Sequence, residues 1–104
     1  MYHAHIYFDD HQSNLAKYLH QAIAQREDID AIFPMVHQSV GPHSKPMFEV
    51  HFSMNTHLFC QWLDDNRGEL SVLIHPVTLD ALSDHTTSAI WLGAELPLKT
   101  DILL

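Results

Sequence analysis

Ten histidines among 104 residues, against only five lysines and arginines, are the part of this sequence that could do chemistry. Imidazole is the commonest metal ligand and titrates near neutrality, so it can hold an ion or move a proton. Placement matters more than number. His3, His5 and Tyr7 alternate along "HAHIYF", and Glu49 and His51 alternate in "MFEVHF". His75 ends "SVLIH", His43 sits in "VGPHSKP" with His37 shortly before it, and His85 sits in "SDHTT". Imidazole suits Zn, Fe, Cu or Ni, and two histidines plus one carboxylate with open positions suit non-haem Fe(II). Tyr7 could orient a substrate or act as an acid. Arg67 is a candidate for a substrate carboxylate, which guanidinium binds bidentately; the competing reading is a cation at a helix C-terminus. His11, His20 and His57 fall on helices or their starts and read as surface residues. Cys60 lies among Leu58, Phe59, Trp62 and Leu63 and reads as a structural thiol, not a nucleophile.

These side chains need elements to hold them. Residues 2–8 alternate as a first strand, stopped by Asp9 and Asp10, which offer N-cap chemistry. Apolar residues at Leu15, Tyr18, Leu19, Ala22 and Ile23 have helical spacing. "DAIFPMVHQ" reads as a second strand, placed at a sheet edge by Pro34. "SVGPHSKP" is a loop punctuated by Gly41-Pro42. "MFEVHF" is a third strand. A second helix, capped by Asn55 or Thr56, runs through Leu58, Phe59, Trp62 and Leu63 and ends near "DDNRG", with Gly68 suited to follow it. "ELSVLIHP" is the fourth strand. The order β-α-β-β-α-β is the ferredoxin-like α+β pattern, with expected strand order 4-1-3-2.

A sheet covered by helices on one side has one core face and one open face, and the period of two sorts the residues. Ala4, Ile6, Phe8, Phe48, Val50, Phe52, Val72 and Ile74 suit the helices. His3, His5, Tyr7, Met47, Glu49, His51, Ser71, Leu73 and His75 then line the open face. That face is a plausible floor for a metal site built on His5 and His75, with Glu49 or His51 as a third ligand.

The length fits a single domain spanning residues 1–104. A net charge of −8 argues against nucleic acid as a partner. An RNA-binding sheet is also disfavoured, because Phe48 and Phe52 of the third strand point to the core. No signal-peptide pattern and no long apolar run is visible, and one cysteine allows no intrachain disulfide. The expectation is a cytoplasmic protein with no membrane partner. Residues 77–104 form a short helical piece and an apolar arm, with Trp91, Leu92, Leu96, Leu98, Ile102, Leu103 and Leu104. So apolar an arm should pack on the sheet or on a second subunit, and a homodimer is expected.

The ordered set "HAHIYF", "VGPHSKPMFEVHF" and "NRGELSVLIHPVTLDALSDHTTSAIWLG" resembles the DOPA 4,5-dioxygenase family over residues 3–98. The resemblance implies a dimeric ferredoxin-like extradiol dioxygenase, cleaving a catechol such as L-DOPA with Fe(II) and O2. Zn or Ni is an expected occupant of the site as purified. Matched residue by residue, it implies His5, His43 and His75 as metal ligands and weighs against Glu49 and His51. It makes His43 and His85 candidates for acid–base work, and His37, Arg67 and Tyr7 candidates for substrate contact. "HPVTLDAL" departs from the family, which usually has Gly after the Thr, so the turn there differs. The competing class is a non-catalytic dimeric module that binds a metal or small molecule through the same face.

Overall fold

The central strand is the one that carries the alternating histidines. In the computed structural model, which describes residues 1–104, β1 (Tyr2–Tyr7) lies between β3 (Met47–Phe52) and β4 (Val72–Pro76), antiparallel to both. β2 (Ala31–Ile32) flanks β3, and β5 (Ile90–Leu92) flanks β4, giving the order β2-β3-β1-β4-β5. This is the expected 4-1-3-2 order read backwards, with a fifth strand added. The second strand is shorter than the sequence suggests. Its pairing stops at Ile32 and returns only as a single bridge between Val36 and Met47, because Pro34 has no N–H for the ladder. β5 escaped the sequence reading because "IWL" is short; it pairs with Val72–Ile74 on the free edge of β4.

One face of the sheet is covered by α1 (Ser13–Ala24) and α2 (Thr56–Asn66). Ala4, Ile6, Phe8, Phe48, Val50, Phe52, Val72 and Ile74 all point to that side and are buried there with Leu19, Ile23, Phe59 and Leu63. Full burial of each large apolar side chain contributes roughly 1.5–3 kcal/mol. The buried stripe of α1 is Ala16, Leu19 and Ile23, rotated from the expected one, and Tyr18 is exposed. Small Ala16 lets α1 approach the sheet, while Leu15 packs beside Gly68. Gly68 follows α2 with φ +59°, as expected of a residue ending a helix. Asn55 precedes α2 but makes no side-chain cap bond. Cys60 is half-buried against the core, and burial raises its thiol pKa, which agrees with a structural role.

The other face is only partly open. Tyr7, Met47 and Leu73 form a second apolar cluster covered by Ala89, Trp91, Leu96 and Leu98 of the C-terminal arm. This part of the arm therefore packs on its own sheet, while Ile102 and Leu104 at its end are exposed. Lys99 N–H donates to Pro42 O (2.8 Å) and Ser44 Oγ to Pro97 O (2.8 Å), so the arm is tied to the loop that carries His43. No helix is long and apolar enough to cross a membrane.

A short helix, α3 (Ala81–His85), follows β4 and brings His85 over the sheet. It is fixed by Asp84, a buried carboxylate that accepts from Thr78 N (2.8 Å) and Thr78 Oγ1 (2.7 Å). Asp84→Ala leaves the Thr78 amide without its partner and should cost about 1–3 kcal/mol of stability. Urea unfolding checks this; an unchanged midpoint would show that Asp84 does not anchor α3.

Candidate metal centre

The antiparallel register sets the site. His3 faces His51 on β3 and His75 on β4, while His5 faces Glu49 and Leu73. All of these point to the face away from the helices. The sequence placed His75 beside His5; in fact it is two residues along the strand and reaches diagonally, bringing the two Nε2 atoms 2.9 Å apart. His43 arrives from the Gly41-Pro42 loop, where Gly41 adopts φ +54° and His43 N–H closes the turn on Val40 O (3.0 Å). His85 arrives from α3. Ring centroids are 4.1 Å apart for His5–His43 and for His75–His85, 5.0 Å for His5–His75 and 6.0 Å for His43–His85. Four imidazoles from four segments thus form a closed ring.

Three of the four are held from outside through Nδ1. His75 Nδ1 lies 2.7 Å from Pro76 O, and His85 Nδ1 2.8 Å from Ala81 O. A carbonyl only accepts, so both Nδ1 atoms carry the proton and both Nε2 lone pairs are free, the form that binds a metal. His43 Nδ1 pairs with the Tyr7 hydroxyl at 2.6 Å. His5 Nδ1 is buried, has no hydrogen-bond partner, and lies 3.4 Å from Glu49 Oε1.

That orphan is the test of whether the residues fit an ion. With His75 Nε2 bare, His5 must donate from Nε2 to make the 2.9 Å contact, leaving a bare Nδ1 against a carboxylate. A cation shared by the two Nε2 atoms removes the conflict: His5 then carries its proton on Nδ1, facing Glu49. A separation of 2.9 Å also suits two adjacent ligands that each lie about 2.1 Å from one ion. The residues fit a metal.

Ring nitrogens of His5, His43 and His85 lie within 4.8 Å of one another, as do those of His3, His5 and His75. His5 belongs to both groups, with His43 in one and His75 in the other. His3 was placed on this face by alternation but not named as a ligand. Tyr7 is buried under Trp91, with ring centroids 5.8 Å apart, and burial raises its phenol pKa. Arg67 and His37 lie elsewhere. Arg67 pairs with Asp64 (2.8 Å) and donates to the carbonyls of Gly68 and Leu70, closing the end of α2. His37 is exposed and meets the edge of Phe8 on the helix side. Beside His85 opens a cleft of about 340 Å³, whose walls include Thr86, Trp91, Glu95, Leu96 and Leu98. Sequence reasoning missed these walls because it left the path of the arm open.

Burial governs the electrostatics. It holds His5 well below the ordinary 6.5, reinforced by His43 and His75, and takes His3 and His43 to about 4. His75 is lowered too, against the pull of the Pro76 carbonyl. All four are neutral near pH 7, as ligands must be. The sign for stability follows. Above 6.5 the folded and unfolded chains are both unprotonated at these sites; below it only the unfolded chain takes up protons, so stability falls as pH drops from 6.5 towards 4. A fully suppressed histidine gives a slope of about 1.4 kcal/mol per pH unit. The metal-free protein should therefore have a lower Tm at pH 5 than at pH 7.5 by circular dichroism, and a flat profile would contradict buried neutral imidazoles.

Comparison with known proteins converges on one family. Residues 2–102 match the model of the Dopa 4,5-dioxygenase family. A DOPA 4,5-dioxygenase from Amanita muscaria is 34% identical over 120 residues, covering 96% of this chain and 51% of the fungal protein. An uncharacterized 21.2 kDa protein from Botryotinia fuckeliana is 35% identical over 111 residues, covering 95% of this chain and 61% of the other. The chain thus spans between half and two-thirds of the length of these curated relatives. A crystal structure from Nostoc punctiforme, described as that of a candidate dioxygenase, superposes with a TM-score of 0.92 at 36% identity, covering 98% of this chain and 89% of that one. This chain belongs to the Dopa 4,5-dioxygenase family.

Proposed function

We propose that the chain is an extradiol dioxygenase that opens the ring of a catechol, with L-DOPA as the substrate suggested by the family, using Fe(II) and O2. The observation that carries this reading is the inward-facing imidazole ring. His75 and His85 present Nε2 because backbone carbonyls hold their Nδ1 protons, and His5 completes the floor with an unpartnered Nδ1 on its far edge. The family match and the Amanita relative supply the reaction class.

His5 and His75, with His43, would hold the iron. When bound, Fe(II) supplies chelation of the two diol oxygens and a place for O2. The chain's own residues do the rest. His85 stands at the inner wall of the cleft and can take a proton from a diol hydroxyl and return it later. Tyr7 fixes the His43 ring through the 2.6 Å contact. Its direction sets the role of His43. If the phenol donates, His43 carries a proton on Nε2 and acts as an acid; if His43 donates from Nδ1, Nε2 is a ligand. Trp91, Leu96 and Leu98 cover the floor and limit access of water.

The test is anaerobic reconstitution with Fe(II), followed by exposure to air with catechol, dopamine and L-DOPA. Turnover should give a yellow semialdehyde, read as visible absorbance. His75→Ala should lose both tight iron binding and turnover. His85→Ala should keep iron and lose roughly 10²–10⁴ in rate, the range for an acid–base group. His43→Ala assigns that residue: loss of iron makes it a ligand, and retained iron with a slowed rate makes it the acid. Iron bound with no turnover of any catechol would return the protein to the non-catalytic metal-binding reading.

A further inference from the structure

The open face holds a second set of donors, on the edge of the His5 ring away from His75. His3, Glu49 and His51 each bring one donor atom within 4.8 Å of the others. His3 and His51 are paired across β1 and β3, and their rings stack at 3.6 Å with 2° between planes. Both imidazoles therefore present their edges on the same side. Glu49 Oε2 lies 2.7 Å from His51 Nε2, and Oε1 lies 3.4 Å from His5 Nδ1. Glu49 pairs with no lysine or arginine; its only ion-pair partners are these two histidines. His5 is 2% exposed, and its Nδ1 has no hydrogen-bond partner. So a half-buried carboxylate with no lysine or arginine partner lies against two stacked imidazoles. Every one of these groups is stabilised by a positive charge placed among them.

That position is not the one His75 reaches. The two nitrogens of an imidazole lie on different edges of the ring, and His75 meets His5 at Nε2. An ion on that edge does not also contact a carboxylate that approaches Nδ1. We propose that His3, Glu49 and His51 form a second site, for a divalent transition-metal ion such as Zn²⁺, which adjoins the imidazole centre through His5 and through His3, whose ring also lies near His75. Two imidazoles and one carboxylate are a common donor set for zinc. All three side chains are partly exposed, so water completes the coordination and the ion exchanges with solvent. Two like charges on opposite edges of one ring repel, so the partly exposed site fills second.

Zn²⁺ titration of the metal-free protein by calorimetry tests this without reference to catechol turnover. Wild type should take up two equivalents, the second more weakly. His51→Asn and Glu49→Gln should each remove the second equivalent and leave the first. His75→Ala should weaken the first and leave the second. A wild type that binds one equivalent overturns the proposal, as does a second equivalent that survives both His51→Asn and Glu49→Gln. Loss of both equivalents in these two variants, with unchanged far-ultraviolet circular dichroism, also overturns it, because those residues would then belong to the first site.

Discussion

Neutral imidazoles packed against one another cannot satisfy all of their nitrogens. Each ring has one donor and one acceptor, and a ring of four facing inwards leaves its outer nitrogens to be held by something else. The arrangement around this constraint organises the structure. Pro76 O and Ala81 O take the outer protons of His75 and His85, and the Tyr7 hydroxyl meets His43. Two of these anchors are backbone carbonyls close in sequence to the histidine they hold. The strand end and the short helix therefore fix tautomer and position together. Only His5 lacks such an anchor, and it sits on the central strand where four others crowd round it.

The helix-covered face and the histidine face depend on one another through β1. Ala4 and Ile6 are fully buried under the helices, and His3, His5 and Tyr7 follow on the other side by alternation. A slip of one residue would exchange the two sets. The large buried apolar cluster is thus what aims the imidazoles. On the site side the arm does comparable work. Trp91, Leu96 and Leu98 cover Tyr7 and Leu73, and two hydrogen bonds tie the arm to the loop of His43. Burial holds His5, His43 and His75 below their ordinary pKa, so these rings are uncharged at neutral pH.

Much of this was legible before any coordinates. Period-two alternation assigned every core and open-face residue of β1, β3 and β4 correctly, because both faces are strongly specified by burial. The topology followed from the order of periodic segments. What alternation does not carry is distance along the strand, so His75 was set beside His5 instead of two residues along, opposite His3. Residues on loops and on α3 have no periodicity to place them. His37, His43 and His85 were noticed as loop histidines and given roles by the family pattern, and Arg67 was read as a partner for a substrate carboxylate; the observed contacts of Arg67 and His37 are with the end of α2 and with Phe8. The fifth strand and the walls of the cleft depend on where the arm lies. That is decided by the apolar patch of Tyr7, Met47 and Leu73, which only the assembled sheet displays.

The ring of imidazoles joins segments far apart in the chain; the His5–His75 contact alone spans 70 positions. Contacts of such separation require closure of long loops and form late, after local structure has been made. During synthesis β1 is completed long before its partners β3 and β4, and His5 waits for His43, His75 and His85 in turn. The donor set thus does not exist on a partly synthesised chain. An ion that recognises it selects chains whose sheet has already closed, and so acts as a seal on finished folding, not as a nucleus for it.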